Sequence, residues 1–455
     1  MDLISQLESS FVDQLPIEAK LNLEPPEPPA DEKEPKPKIK ARVNIYTSFE
    51  QVLQEFLPLD EVSFDPFSPE EYRRPRTKLS KDFPKAATPL DFFSLYFTRA
   101  ILQIITRNTN RYANARYHHQ KEFPHERDWI PLFLEELYVF LGCVVYMGVH
   151  KEPNVELYWS TGTYNPQHIL PVHMSLVRFQ QIHRFLHISD ATGDVLAGRT
   201  GLTGISNPNN DIWWYKLEPL ASSLRQSFMQ YYEPSSTMSV DELMVRCFGR
   251  SIHTYKMPSK PISQGYKLFG VADHGYLYNF IWSSKAQSII EVFWKPELTK
   301  TGSLVRELAL SLLRHHITIY MDNYFSSIPL FEKLRKCQFR AVGTTRPHAQ
   351  LPQVFKVLKD KFKKELQWNT LLAKVVDNTL CLAWQDNNIV LALTNIHTVD
   401  TTETFRDKVR RRPAKTSTSA WQARAPFGNQ PTKELAIPVV IDDYNCYIGG
   451  VDIAN

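Results

Sequence analysis

Three aspartates stand where an acidic side chain has chemistry to do. Asp241 lies inside an apolar β-type run, SVDELMV; Asp322 ends a second, ITIYMD; Asp452 follows two glycines in GGVDIAN. A charge set between Val240 and Leu243 conflicts with burial unless something neutralises it. If the strand ending at Asp322 pairs with the one holding Asp241, two carboxylates meet at the sheet centre, which is costly unless they are protonated or bridged by cations. Three acidic oxygen ligands suit Mg²⁺, which prefers carboxylate and water. A pair of such ions can activate a hydroxyl nucleophile and stabilise the leaving oxygen in phosphodiester displacement. The plainer alternative for Asp322 is a turn or cap, a common use of aspartate. The residues alone leave both readings open.

The elements that must position these residues follow from periodicity. MSVDELMVRCF, YKLFGVAD and YLYNFIWSS read as strands, the last two joined by a hairpin turn at His274 and Gly275. The amphipathic helix LVRELALSLLRHH, the strand ITIYM, the helix SIPLFEKLRKC and the strand FRAVGTT follow. The order β-β-β-α-β-α-β predicts a mixed sheet with helices on its faces, an α/β fold. Asp322 then sits at the carboxyl end of a central strand, beside the crevice where such sheets bind ligands. Ser326 and Ser327 offer a helix N-cap, and Pro329 sits early in that helix, where its missing N–H costs little.

Upstream, residues 88–234 carry apolar positions at helical spacing in four stretches and read as a helical domain, with PLFLEELYVFLGCVVYMGVH apolar enough to be buried. Residues 1–87 hold EPPEPPADEKEPKPKIK and read as a disordered Pro/Lys/Glu-rich tail; YRRPRTKLSK within it is an import signal, a DNA-contacting arm or a solvated charge run. Residues 235–345 form the first part of the α/β core. Residues 346–436 read as a basic, β-rich insertion, and residues 437–455 as the end of the core, with IPVVIDDYN as a strand.

Several other residues have a functional and a plain reading. Asp442 and Asp443 are weaker substitutes for Asp452, while Asp273 and His274 are explained by the hairpin turn. His118 with His119 and His315 with His316 are adjacent, so neither pair shares a face for a metal. Trp213, Trp214 and Trp384 read as packing anchors, with base stacking on Trp384 as the sharper alternative.

Composition narrows the class. The chain has 455 residues, is 43% hydrophobic and carries a net charge of +4, too little to argue a polyanionic partner without a local cluster. Five scattered cysteines with no CxxC pair fit reduced thiols rather than a zinc site or a disulfide framework. The acidic N-terminus does not suit a signal peptide, and no apolar run is long enough for a transmembrane helix, so the expectation is a soluble, intracellular protein with no membrane contact.

SVDELMVRCFGRS, MPSKPISQGYKLFGVAD, YMDNYFSSIPLFEKLR and YNCYIGGVD resemble the successive motifs of piggyBac-type transposases. YMGVHKEPNVELYWS and MSLVRFQQIHRFLHISD resemble the same family's helical region, and the likeness runs from about Pro89 onward. The resemblance implies an RNase H-like core of the DDE/D class, flanked by a helical dimerisation and DNA-binding domain and interrupted by an insertion domain. It implies cleavage and joining of double-stranded DNA, at transposon ends and TTAA targets, by a nuclear homodimer using two Mg²⁺ (or Mn²⁺) ions. By motif position, Asp241, Asp322 and Asp452 are the catalytic, metal-holding triad. Arg250, Lys260 and Lys267 fall in stretches expected to touch DNA phosphates, ordinary surface salt bridges being the alternative.

Two departures qualify these expectations. Where family members commonly carry a fourth acidic residue, three positions after the GGVD aspartate, this chain has Asn455. The family also continues past GGVD into further helix and a cysteine-rich zinc module, so the resemblance implies C-terminal truncation. A helix of barely one turn around Asp452 is then too short to be held by its own hydrogen bonds, which would leave the third carboxylate unplaced. The alternative function is a domesticated DNA-binding descendant without full transposition.

Overall fold

The structure is a computed structural model describing residues 46–67, 72–119, 127–190, 212–249, 251–258, 260–286, 289, 291–313, 316–348, 350–399, 404–415 and 420–455. Its first elements are α1 (Phe49–Leu53) and β1 (Arg76–Thr77). The helical region follows as α2 (Pro89–Tyr96), α3 (Arg99–His119), α4 (Leu134–Val149), α5 (Leu170–His173), α6 (Leu176–Phe185) and α7 (Leu220–Tyr231). Thr88 opens α2 with a full capping box: its hydroxyl accepts from Asp91 N–H, and the Asp91 carboxylate accepts from Thr88 N–H. Leu102, Leu137 and Ile182 are wholly buried between these helices, and Phe140 stacks on Phe179 at 5.1 Å.

Two expectations change here. Helix α4 is buried on one face only, through Leu137, Phe140 and Cys143, while Val145 and Val149 face outward at 59% and 73% exposure. Residues 46–67 and 72–87 are structured rather than a loose tail. Val52, Phe56 and Val62 are apolar residues spaced through a polar stretch, and all three are buried. The basic stretch from Tyr72 contributes β1, which pairs with β2 (Tyr232–Glu233). Residues 1–45, including the Pro/Lys/Glu-rich run, lie outside the described residues.

The central sheet is built from β3 (Thr237–Arg246), β4 (Tyr255–Lys256), β5 (Gln264–Asp273), β6 (Tyr276–Ser283), β7 (Thr318–Met321), β8 (Arg340–Thr344), β9 (Leu371–Val376), β10 (Thr379–Gln385) and β11 (Ile389–Thr394). Its order is β4-β5-β3-β7-β8-β11-β10-β9, with β6 also paired to β5, along the edge that β4 occupies. The pairs β3–β7 and β7–β8 are parallel and the others antiparallel, the mixed sheet that the strand and helix order predicts. Helices α8 (Lys300–Leu310) and α9 (Ile328–Lys336) are the crossovers into β7 and β8. Strand β7 is buried at every position, as its uninterrupted apolar sequence requires.

Much of residues 346–436, expected as a basic β-rich insertion, is β-structure continuous with the central sheet. After α10 (Gln353–Lys361), strands β9 to β11 extend the central sheet beyond β8, with Thr394 opposite Val342. Only the ribbon of β12 (Phe405–Arg411) and β13 (Thr432–Pro438), with α11 (Ala420–Arg424) between them, stands apart from that sheet. IPVVIDDYN is not a strand beyond Pro438, because proline cannot donate to a ladder. The segment turns into α12 (Val439–Tyr447), with Asp442 in its first turn where the helix dipole favours an acid. Helix α13 (Gly450–Ala454) follows directly. Among the described residues no helix is long and apolar enough to cross a membrane.

Candidate acidic site at the carboxyl ends of the parallel strands

The parallel register of β3 and β7 ends at the pair Val240 and Met321. Asp241 and Asp322 are the next residue of each chain segment, so the two carboxylate-bearing positions adjoin. Strand β7 stops there, while β3 runs on to Arg246 paired with β5. A crevice therefore opens at the carboxyl end of β7, the position at which α/β sheets bind ligands.

Helix α13 brings Asp452 to the same strand, and it is held by more than its own hydrogen bonds. Val451 N–H donates to Ser239 Oγ at 3.1 Å, and Met244 N–H donates to Asn455 Oδ1 at 3.1 Å. Val451 is wholly buried. Gly450 lies flush on the sheet: a Cβ there would fall 2.6 Å from Ser239 Oγ and 3.1 Å from the backbone nitrogen of His274. The one-turn helix is thus clamped to β3 at both ends, and Asp452 is exposed beside the crevice. This corrects the expectation of an unplaced third carboxylate. Asn455, read from sequence only as a poorer metal ligand, spends its amide oxygen on a strand N–H that β7 is too short to satisfy.

The electrostatics are those of a site short of positive charge. Burial pushes the Asp241 carboxyl up to about 6, with Asp322 and Asp452 adding repulsion, against a hydrogen bond from the Glu242 backbone and the charge of Lys260. Asp322 is also raised, first by burial and then by Glu242, although its Oδ1 accepts from Tyr324 N–H at 2.7 Å. Lys260 counteracts both shifts, so its ammonium stands within electrostatic range of both acids. By chemistry this oxygen-only, under-neutralised donor set fits a hard divalent cation. The side chains do not converge into a cage: among the described residues no three His, Cys, Asp or Glu stand close enough to hold a metal ion.

The remaining candidates separate from the site. Lys267 does not reach out to a phosphate. It is 7% exposed, its ammonium is 2.6 Å from Glu242 Oε1, and the rings of Phe269, Tyr324 and Tyr255 lie 4.5, 5.3 and 5.6 Å from it. Arg250 lies outside the described residues, as do His315 and the side chains of His118 and His119. Asp442 and Asp443 are taken up by Arg406, Lys408 and His397, so they do not stand in for Asp452. Asp273 is more than a turn residue: it is buried and accepts from Ser235 N–H, Ser235 Oγ–H and Tyr232 O–H. The turn itself falls on His274 and Gly275, both at positive φ. Trp384 is 2% exposed, its indole N–H given to Asn369, which leaves no open face for stacking. Ser327 is the N-cap of α9, but its buried hydroxyl makes no capping bond.

Glu242, Tyr324 and Tyr444 are the site residues that sequence reasoning passed over. Strand alternation sends Glu242 to the face opposite Asp241, and a basic residue two places along the paired strand was the signal for its partner. Tyr444 takes a hydrogen bond from Thr344 Oγ1 and its hydroxyl is raised mainly by burial, then by Asp322, Asp241 and Asp452.

The family model Transposase IS4 matches residues 88–455. The chain belongs to this family, in its piggyBac branch. PiggyBac transposable element-derived protein 2 of Homo sapiens is 26% identical over 325 residues, 68% of this chain and 48% of that protein. PiggyBac transposable element-derived protein 3 of Homo sapiens is 24% identical over 382 residues, 82% of this chain and 56% of that protein. This piggyBac-type chain therefore spans about half the length of these relatives. A cryo-EM structure of a piggyBac transposase synaptic complex with hairpin DNA superposes with a TM-score of 0.60 at 19% identity, covering 83% of this chain and 69% of that one. The shared fold is consistent with an RNase H-like mixed sheet as the core of this piggyBac-type chain.

Proposed function

We propose that this chain cleaves and joins double-stranded DNA at TTAA sites, with Asp241, Asp322 and Asp452 as the catalytic carboxylates. The observation that carries the reading is the adjacency of Asp241 and Asp322 at a strand-end crevice, both pushed upward by burial with no ion pair among the described residues. A carboxylate pair kept in that condition is a functional-site signature. Mg²⁺ or Mn²⁺, two ions in the full reading, would be held by these three carboxylates and would supply nucleophile activation and relief of charge on the leaving oxygen.

The chain's own residues have defined parts in this reading. Lys260 offsets the repulsion between Asp241 and Asp322 and is the best placed of the predicted basic residues to meet a phosphate. Tyr324 N–H fixes one oxygen of Asp322, and α13 sets Asp452 against β3. A homodimer and nuclear location belong to the same proposal; the outward-facing Phe133, Val145 and Val149 of the helical region offer apolar surface for a second copy.

The decisive test is nicking of duplex DNA containing TTAA in Mg²⁺ or Mn²⁺. Wild type should cleave, and Asp322→Ala should lower the rate by about a thousandfold or more. Equal cleavage by both proteins would end the catalytic reading. A second reading, DNA binding without full transposition, draws on Asn455, whose amide stands where a fourth acid is expected and is engaged by Met244. It predicts salt-dependent duplex binding with no metal-supported nicking.

A further inference from the structure

Between Arg73 and Lys85 the chain carries six cations and one acid, Asp82, in a molecule whose net charge is only +4. The structure pins this stretch along its length. β1 pairs Arg76 with Glu233 and Thr77 with Tyr232. The same antiparallel register continues both ways: Ser236 N–H donates to Arg73 O at 3.2 Å, and Lys78 N–H donates to Tyr231 O at 2.9 Å. Arg73 N–H is given to Ser236 Oγ at 2.8 Å, and Phe83 packs on Phe92 of α2 at 5.2 Å. An extended backbone sends alternate side chains to opposite faces. Tyr232 turns inward, bonded to Asp273 and stacked on Tyr276, so Thr77 across from it shares the inner face. Arg74, Arg76 and Lys78 then share the outer face. All three are exposed, and among the described residues none of them is in an ion pair; the acid across the ribbon is Glu233, opposite Arg76.

We propose that this arm binds phosphates of duplex DNA away from the bond to be cut, with Arg74, Arg76 and Lys78 following one strand. The inference rests on the DNA-binding part of the proposed function and adds to it a contact surface separate from the carboxylates. Alternate residues of a strand stand about 6.6 Å apart, a step close to that between successive phosphates of one DNA strand. Exposed cations at that spacing, outside any ion pair, are free to exchange counterions for phosphates. Ser236 precedes Asp241 by five residues along the same extended run. That is about 16 Å at the rise of a strand, the length of about five base pairs. A duplex engaged at the acids therefore has further phosphates at the distance of the arm. An acidic transport receptor would also suit the charge, but one that takes a basic peptide as a free extended chain would have to strip it from Ser236 and β2. Phosphates need only the side chains.

The test is binding of the full chain to a short random-sequence duplex, without metal, across a series of salt concentrations. The triple variant Arg74→Gln, Arg76→Gln, Lys78→Gln should flatten the slope of log K against log[salt] by about 2–3 and weaken binding at physiological salt by about tenfold or more. Its thermal unfolding should match wild type, since the three side chains are exposed and make no ion pair. A second readout uses wild type alone: acylation of Lys78, followed by mass spectrometry, should slow severalfold when duplex is added and recover in high salt. An unchanged slope would leave the arm to a protein partner and overturn the proposal. A flatter slope with Lys78 unprotected would reduce the arm to a distant field effect and overturn it too. Failure of wild type to bind duplex would remove the arm and the DNA reading together. Nicking in Mg²⁺ is measured separately: an arm effect without nicking keeps the arm and removes the catalytic reading, and nicking with an unchanged slope does the reverse.

Discussion

The two faces of β3 treat adjacent carboxylates in opposite ways. On one face Glu242 meets the buried ammonium of Lys267 at 2.6 Å, and three aromatic rings surround that cation. On the other, Asp241 meets burial and two further acids, Asp322 and Asp452, against a hydrogen bond from the Glu242 backbone and the charge of Lys260. A strand able to pair one acid internally leaves its neighbour under-neutralised. The difference separates a charge that serves the fold from one reserved for something that binds. It also makes Lys267 a positioning residue: it grips Glu242 beside Asp241 and lies against Tyr324, whose N–H fixes Asp322.

Breaking the satisfied face should cost most. Lys267→Met leaves Glu242 buried and unpaired, and urea unfolding should show a loss of about 3–5 kcal/mol. The double variant Lys267→Met, Glu242→Leu should recover most of it, since an apolar pair of similar volume removes the orphan charge. No recovery would mean that the aromatic cage, not the ion pair, holds this face. Gly450→Ala comes next. Its methyl collides with Ser239 Oγ and should lift α13 off β3, with a loss of about 1–3 kcal/mol and a weaker rise of Tm on adding Mg²⁺.

The smallest effect has the opposite sign. Asp241 holds its proton more tightly folded than unfolded, so its contribution favours the fold below 3.8 and is lost as pH rises through about 6. Asp241→Asn should therefore stabilise the metal-free protein at pH 7–8 by about 1–2 kcal/mol, allowing for the solvent that reaches the site, and do nothing near pH 3. Millimolar Mg²⁺ should raise the Tm of wild type more than that of the variant. Equal Tm at neutral pH would show that the two faces of β3 differ less than their partners suggest.

The core was legible because its strands are short apolar runs with few competing readings. The adjacency of Asp241 and Asp322 followed from a parallel crossover that fixes which strand ends meet. Lys267 was misplaced because a lysine within a polar motif looks exposed, and only the β3–β5 register shows it behind Glu242. The α12 helix was hidden by an apolar run compatible with either period. Strands β9 to β11 looked like a separate unit because nothing in their alternation states which sheet they join. The clamp on α13 depends on a hydroxyl and an amide far away in sequence, beyond any local pattern.

That clamp gives the site a place in the order of synthesis. The bond from Val451 to Ser239 joins residues 212 positions apart, and the one from Met244 to Asn455 spans 211. Contacts of such separation form late, after the sheet that receives them. A ribosome-bound chain can thus lay down β3 and β7 with two acids side by side while the third is still being translated. The nascent protein carries an incomplete acidic cluster until helix α13 emerges and docks on β3.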